Sequence, residues 1–177
     1  MKKKALALVL ALTLLVAGIV GGTLAWLTDQ TAEVKNTFTV GDINIGLIET
    51  TADYKMIPGS TIAKDPTVTV KANSEACWLF VKVTESTDLK DFITYAIAEG
   101  WTALSGVDGV YYREVPASAA DQTFSVLAGD AVTVKSDVTR TMLETAKTDA
   151  PTLTFQAYAS QKDHFATADA AWAEVSK

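Results

Sequence analysis

Few residues in this chain are equipped for chemistry. His164 is the only histidine and Cys77 the only cysteine among 177 residues. An H-E-x-x-H zinc site needs two histidines and a three-histidine site needs three, so neither can be built. His164 beside Asp163 reads as a solvated loop pair. The spacing permits a Cys77–His164 dyad, but Cys77 sits in the most hydrophobic stretch, where a thiolate is disfavoured and no sequence neighbour lowers its pKa. No serine lies in a G-x-S-x-G elbow. Asp88 and Asp91 read most simply as a solvated loop, since a glycosidase pair needs a cleft that sequence does not display. EF-hand loops, P-loops, a G-x-G-x-x-G after a strand and C-x-x-C pairs are all missing. The expectation is a non-enzymatic protein with no catalytic, cofactor-binding or metal-binding residues.

A lone cysteine also excludes an intrachain disulfide, so the fold must rest on its apolar core. Cys77 itself reads as a small apolar strand residue. The sharper alternative is an intermolecular crosslink.

The elements that would position any site are strands. Phe38 and Val40, then Ile43, Ile45 and Leu47 after a shift at Gly41-Asp42, alternate with polar or small residues, which predicts a strand or bulged pair over 37–49. Ile57-Pro58-Gly59-Ser60 suits a type II turn, with Pro second and Gly third. Val68 and Val70 alternate with threonines, and Cys77, Leu79, Val81 and Val83 alternate with Trp78, Phe80 and Lys82. That second run is apolar on both faces for half its length and predicts a central strand. Short strands are expected over 92–98, 110–115 and 123–127, with turns at Gly100, Ser105-Gly106 and Asp108-Gly109. Val132 and Val134 mark another strand, and Leu153, Phe155, Ala157 and Ala159 a further one. Residues 139–147 read as a short helix or a connection, and Thr167 as the cap of a helix reaching Val175 that places Trp172 on the sheet. About eight strands without alternating helices predict an all-β antiparallel sandwich or jelly roll.

Lys2, Lys3 and Lys4, followed by the uncharged run from Ala5 to Val20, read as the basic and apolar parts of a signal peptide. Thr23 and Ala25 occupy the small-residue positions of a cleavage site, so the cut is expected between Ala25 and Trp26. The uncharged stretch runs on through Leu27, long enough for a retained membrane anchor, but the site and the Gly pair favour cleavage. On that reading the membrane is met only transiently. Three of the 15 Lys and Arg leave with the leader, so the mature chain keeps 12 against 21 Asp and Glu, a formal charge of −9. Nucleic acid is therefore an unsuitable partner, because phosphate backbones are held by clustered cations.

Gly22-Thr23-Leu24-Ala25-Trp26-Leu27-Thr28-Asp29, followed by Asn36-Thr37-Phe38-Thr39-Val40-Gly41-Asp42-Ile43, resembles the TasA and camelysin (CalY) family. The resemblance continues through 54–66 and the strand from Cys77 to Val83, and ends with 155–161 and 168–173. It covers most of the chain and is densest in the first third. It implies a signal peptide handled by a SipW-type signal peptidase. It also implies a jelly-roll-like sandwich at the cell surface or in the biofilm matrix of a Gram-positive bacterium, where members assemble into amyloid-like or donor-strand fibres. Camelysin relatives are classed as metallopeptidases, but no metal-ligand pattern accompanies the resemblance here.

The expected organisation is a signal peptide over 1–25, a mobile segment over 26–36 and a β-sandwich with a short C-terminal helix over 37–177. Trp26, Leu27 and Val34 are apolar positions among mostly polar ones. Such a segment could add a strand to the next subunit, a head-to-tail contact that propagates as a filament. Alternatively it pairs within its own subunit or stays unpaired. The leading function is a secreted structural subunit of a matrix or surface fibre that self-associates by strand exchange, without a cofactor. A camelysin-type secreted endopeptidase and a monomeric surface binding module are the alternatives. No lipid-attachment cysteine follows the apolar run and no sorting motif ends the chain, so retention at the cell is expected to need assembly or a partner.

Overall fold

A computed structural model describes residues 42–50 and 55–177. Ten strands and three short α-helices make up this part, and every paired strand is antiparallel. The strands are β1 (Ile45–Ile48), β2 (Thr61–Ala63), β3 (Thr67–Val70), β4 (Cys77–Glu85), β5 (Ile93–Thr94), β6 (Thr102–Ala103), β7 (Val110–Val115), β8 (Gln122–Ser125), β9 (Ala131–Val134) and β10 (Leu153–Gln161). The helices are α1 (Leu89–Phe92), α2 (Arg140–Ala146) and α3 (Ala168–Val175). The all-β, antiparallel expectation therefore holds.

Three ladders form, in the orders β1-β3-β8, β2-β9-β5 and β10-β4-β7-β6. The first two are joined by strands that bend. β2 leads into β3 through Lys64-Asp65-Pro66, and β8 leads into β9 through a turn where Gly129 and Asp130 take φ of 66° and 48°. Hydrogen bonds from Val126 N to Pro66 O and from Lys64 N to Asp130 O carry the pairing around that corner.

β4 decides the layering. Side chains alternate across a strand, and this one is apolar on both faces at its start. Cys77, Leu79, Val81 and Val83 join Val68, Val70, Val115 and Val126 in the core between the ladders. Trp78 and Phe80 point the other way, into a second core with Leu104, Val110, Ala168, Ala171 and Trp172. A third cluster gathers Leu89, Phe92, Ile93, Leu127, Val132 and Val134 beneath α1 and α2. Flanked by β10 and β7, β4 is a central strand as its composition predicts.

Local chemistry accounts for the punctuation. The turn before β2 closes with Ser60 N donating to Ile57 O at 3.0 Å, and Gly59 takes φ 79° as the third position of a type II turn requires. Thr139 Oγ1 accepts from Met142 N to cap α2, and Thr167 Oγ1 accepts from Ala170 N to cap α3. Residues 139–147 thus hold a short helix with its caps and not a plain connection. Two expectations need correction. The strand expected over 92–98 is reduced to Ile93–Thr94, because Phe92 closes the buried turn of α1, and beyond it only an isolated bridge joins Ile97 to Leu127. Asp88 and Asp91 belong to that helical turn and not to a loop, Asp88 as its N-cap.

Candidate assembly edge

β10 is the longest strand at the margin of a ladder. It pairs with β4 along its whole length, from Leu153 opposite Glu85 to Gln161 opposite Cys77. Its other margin has no ladder partner among the described residues. Its sequence, Leu-Thr-Phe-Gln-Ala-Tyr-Ala-Ser-Gln, contains no charge and no proline. Leu153, Phe155, Ala157 and Ala159 point into the core between the ladders and are only half-buried there. Thr154 and Gln156, on the opposite face, are exposed.

Across the core, β1 and β2 form the facing margin. Ile43, Ile45 and Leu47 pack on the same core as the inward residues of β10. Where β1 ends, a cleft of about 480 Å³ opens, lined by Met56, Ile62, Val132, Pro151 and Leu153. Ile57, next to Met56 in the turn before β2, is 62% exposed, and Ile48 at the end of β1 is 69% exposed. Lys64 also lines the cleft, buried to 7% exposure, with its ammonium 2.5 Å from Glu49 and 5.5 Å from the centre of the Phe155 ring. A lysine this buried needs a paired anion, and Glu49 meets that need. Thr50 N donates to Asp65 Oδ1 at 3.0 Å and its hydroxyl donates to Oδ2. These bonds, the side-chain one foremost, hold the Asp65 carboxyl below its usual range and pin the end of β1 to the β2–β3 bend. The arrangement is an apolar rim beside backbone that has no ladder partner among the described residues, which suits strand addition.

The residues weighed for catalysis do not come together. The Cys77 side chain is wholly buried in the core between the ladders, and that burial pushes its thiol up to about 11. His164 is exposed in a single turn of 3₁₀ helix after β10, its ring edge-on to Phe165 at 4.6 Å. A core thiol and a surface imidazole make no dyad. Among the described residues, no group of three or more His, Cys, Asp or Glu could hold a metal ion. The cleavage residues Ala25 and Trp26, and the assembly positions Trp26, Leu27 and Val34, lie outside the described residues. The β10 margin was missed in the sequence, where its signal is a nine-residue strand lacking both charge and proline.

The chain was compared with protein-family models, curated proteins and solved structures. None matches.

Proposed function

We propose that this chain is a secreted structural subunit of an extracellular matrix or cell-surface fibre, assembling by strand exchange between copies. One observation carries the reading: a nine-residue margin strand without charge, proline or bulge, standing over a half-buried apolar rim. Sheet margins of this length are ordinarily blunted by lysine, proline or a covering element, because bare N–H and C=O groups template pairing with another chain. A margin left bare is one that another strand can complete. The leader with its Ala25–Trp26 site supports export through a SipW-type peptidase, and the TasA and camelysin resemblance supports the same setting. Interleaving of sequence-distant strands, β4 between β10 and β7 and β9 between β2 and β5, supports the jelly-roll-like description.

The donor is the segment holding Trp26, Leu27 and Val34, with the β10 margin of the next copy as acceptor. Such a contact is heterologous and grows open-ended. Sedimentation and electron microscopy of the mature protein, beginning at Trp26, test the reading. Fibres are expected from the mature chain and none from a chain lacking 26–35. A mature chain that remains monomeric at high concentration refutes the fibre subunit. Undiminished growth of the shortened chain refutes that donor alone. Chelator-sensitive casein digestion by the mature protein would point instead to the endopeptidase.

A further inference from the structure

Between β5, the last strand of its ladder, and β7 lies a second cleft of about 390 Å³. It is lined by the half-buried rings of Tyr95 and Tyr111, with Glu85, Lys90, Lys135 and Ile97 around them. The Tyr95 hydroxyl donates to the Glu85 carboxylate, so the ring is held from its tip as well as its base. Burial, and then that carboxylate, keep the phenol protonated far into alkali. Neither Lys90 nor Lys135 forms an ion pair among the described residues. Two ammonium groups without an ion pair among the described residues thus stand beside two phenol rings, one of them fixed, on a chain with a formal charge of −6.

The row continues along β7. Arg113 follows Tyr111 by two residues and so shares its face. Its guanidinium lies 3.9 Å from the centre of the Phe124 ring and 5.4 Å from that of Trp101. The indole is fixed by its Nε1 donating to Ser125 O at 2.9 Å. Gly100 packs beside the guanidinium at φ 85°, where a Cβ would stand 3.1 Å from a terminal nitrogen. Arg113 has no carboxylate partner among the described residues, and its buried Nε has no hydrogen-bond partner. Stacked and oriented but unpaired, an arginine presents a planar fork matched to a carboxylate.

We propose that this face binds an acidic polysaccharide, one anionic pyranose resting in the Tyr95–Tyr111 cleft between Lys90 and Lys135 and a further carboxylate meeting Arg113. The volume lies within the range of small-ligand sites. Phenol rings take the C–H face of a pyranose, and the ammonium groups take its carboxylate. Glu85 and the tyrosine hydroxyls meet its hydroxyl groups. A nucleic acid fits less well, because its phosphate backbone demands a dense track of cations. The proposal stands apart from fibre assembly, since no residue of β10 lines this cleft.

Affinity electrophoresis of the full exported chain decides it, run below the concentration at which the protein sediments. Gels contain polygalacturonate, neutral dextran or duplex DNA. Retardation is expected with polygalacturonate alone. The double variant Lys90→Gln/Lys135→Gln is expected to weaken it by about tenfold or more, and Arg113→Gln to weaken it again, with urea midpoints confirming that each variant is folded. The lysine pair is exposed or half-buried and unpaired, so this variant keeps the test decisive if the arginine change unfolds the chain. Equal retardation by dextran or by DNA, or an unchanged lysine variant, overturns the proposal.

Discussion

The ring of Trp172 lies 5.4 Å from that of Phe80, inclined at 50°, and meets Tyr158 edge-on at 5.1 Å. One indole on α3 therefore bridges β4 and β10 on their outer face. Aromatic pairs at such separations add to the stabilisation from burial alone. Trp172→Ala is expected to cost about 3–5 kcal/mol, read from urea unfolding, and Trp172→Phe distinctly less. Hydrogen exchange should then show β10 opening before β4, because among the described residues β10 is paired on one side only.

Thr167 is worth less but is cleaner to test. Its hydroxyl satisfies Ala170 N at the start of α3, and an alanine there leaves that donor to solvent. Thr167→Ala should cost about 1 kcal/mol, while Thr167→Ser should be nearly neutral. An equal loss in both would place the effect outside the cap.

Two glycines separate backbone strain from collision. Gly109 takes φ 72° and a Cβ there would sit 2.4 Å from Val83 O, whereas Gly129 takes φ 66° with nothing within 4 Å. Gly129→Ala meets only the left-handed penalty, about 1–2 kcal/mol. Gly109→Ala must also push apart the bond from Val83 N to Gly109 O, 2.7 Å long, and should cost clearly more in the same unfolding assay.

Cys77 gives a signed dependence on pH. Its ordinary thiol value of 9.0 rises to about 11 in the fold. The folded state holds the proton more tightly, so this contribution is fully present below pH 9 and is lost as pH rises towards 11. Subtracting the Cys77→Ala unfolding profile from that of the native chain should reveal a decline confined to that window. A flat difference would contradict burial of the thiol. Thiol reagents at pH 8 should modify Cys77 only in denaturant.

The β10 margin makes its own demand. Thr154→Lys/Gln156→Lys places two charges on exposed positions of the bare strand without touching its inward side chains. Folding stability should move by no more than about 0.5 kcal/mol, while fibre elongation, followed by light scattering, should slow strongly. Unaltered elongation would remove β10 from the assembly contact.

By itself the chain's pattern of residues determined most of the strands and the cap of α3. Period-two alternation is a property of a few neighbouring residues, so β3, β7 and β9 are legible where they stand, and β4 is legible even as a central strand because both of its faces are apolar. Thr167 is readable for the same reason, since a cap acts over three residues, whereas the segment that Thr139 caps reads as a helix or a connection. β2 and β6 were not readable: at three and two residues they carry no period, and they are strands only because β9 and β7 lie beside them. Phe92 alternates acceptably with its successors, yet burial beside Leu89 makes it the end of a helix. The β10 margin is the clearest case. Its residues alternate as those of an interior strand do, and whether a strand is interior or marginal depends on hydrogen bonds to segments far away in the chain. Tertiary structure alone decided that, as it decided that Arg113, Trp101 and Phe124 meet. Each such contact joins residues that nothing local brings together, and only the shared burial of the core selects which of the possible neighbours is kept.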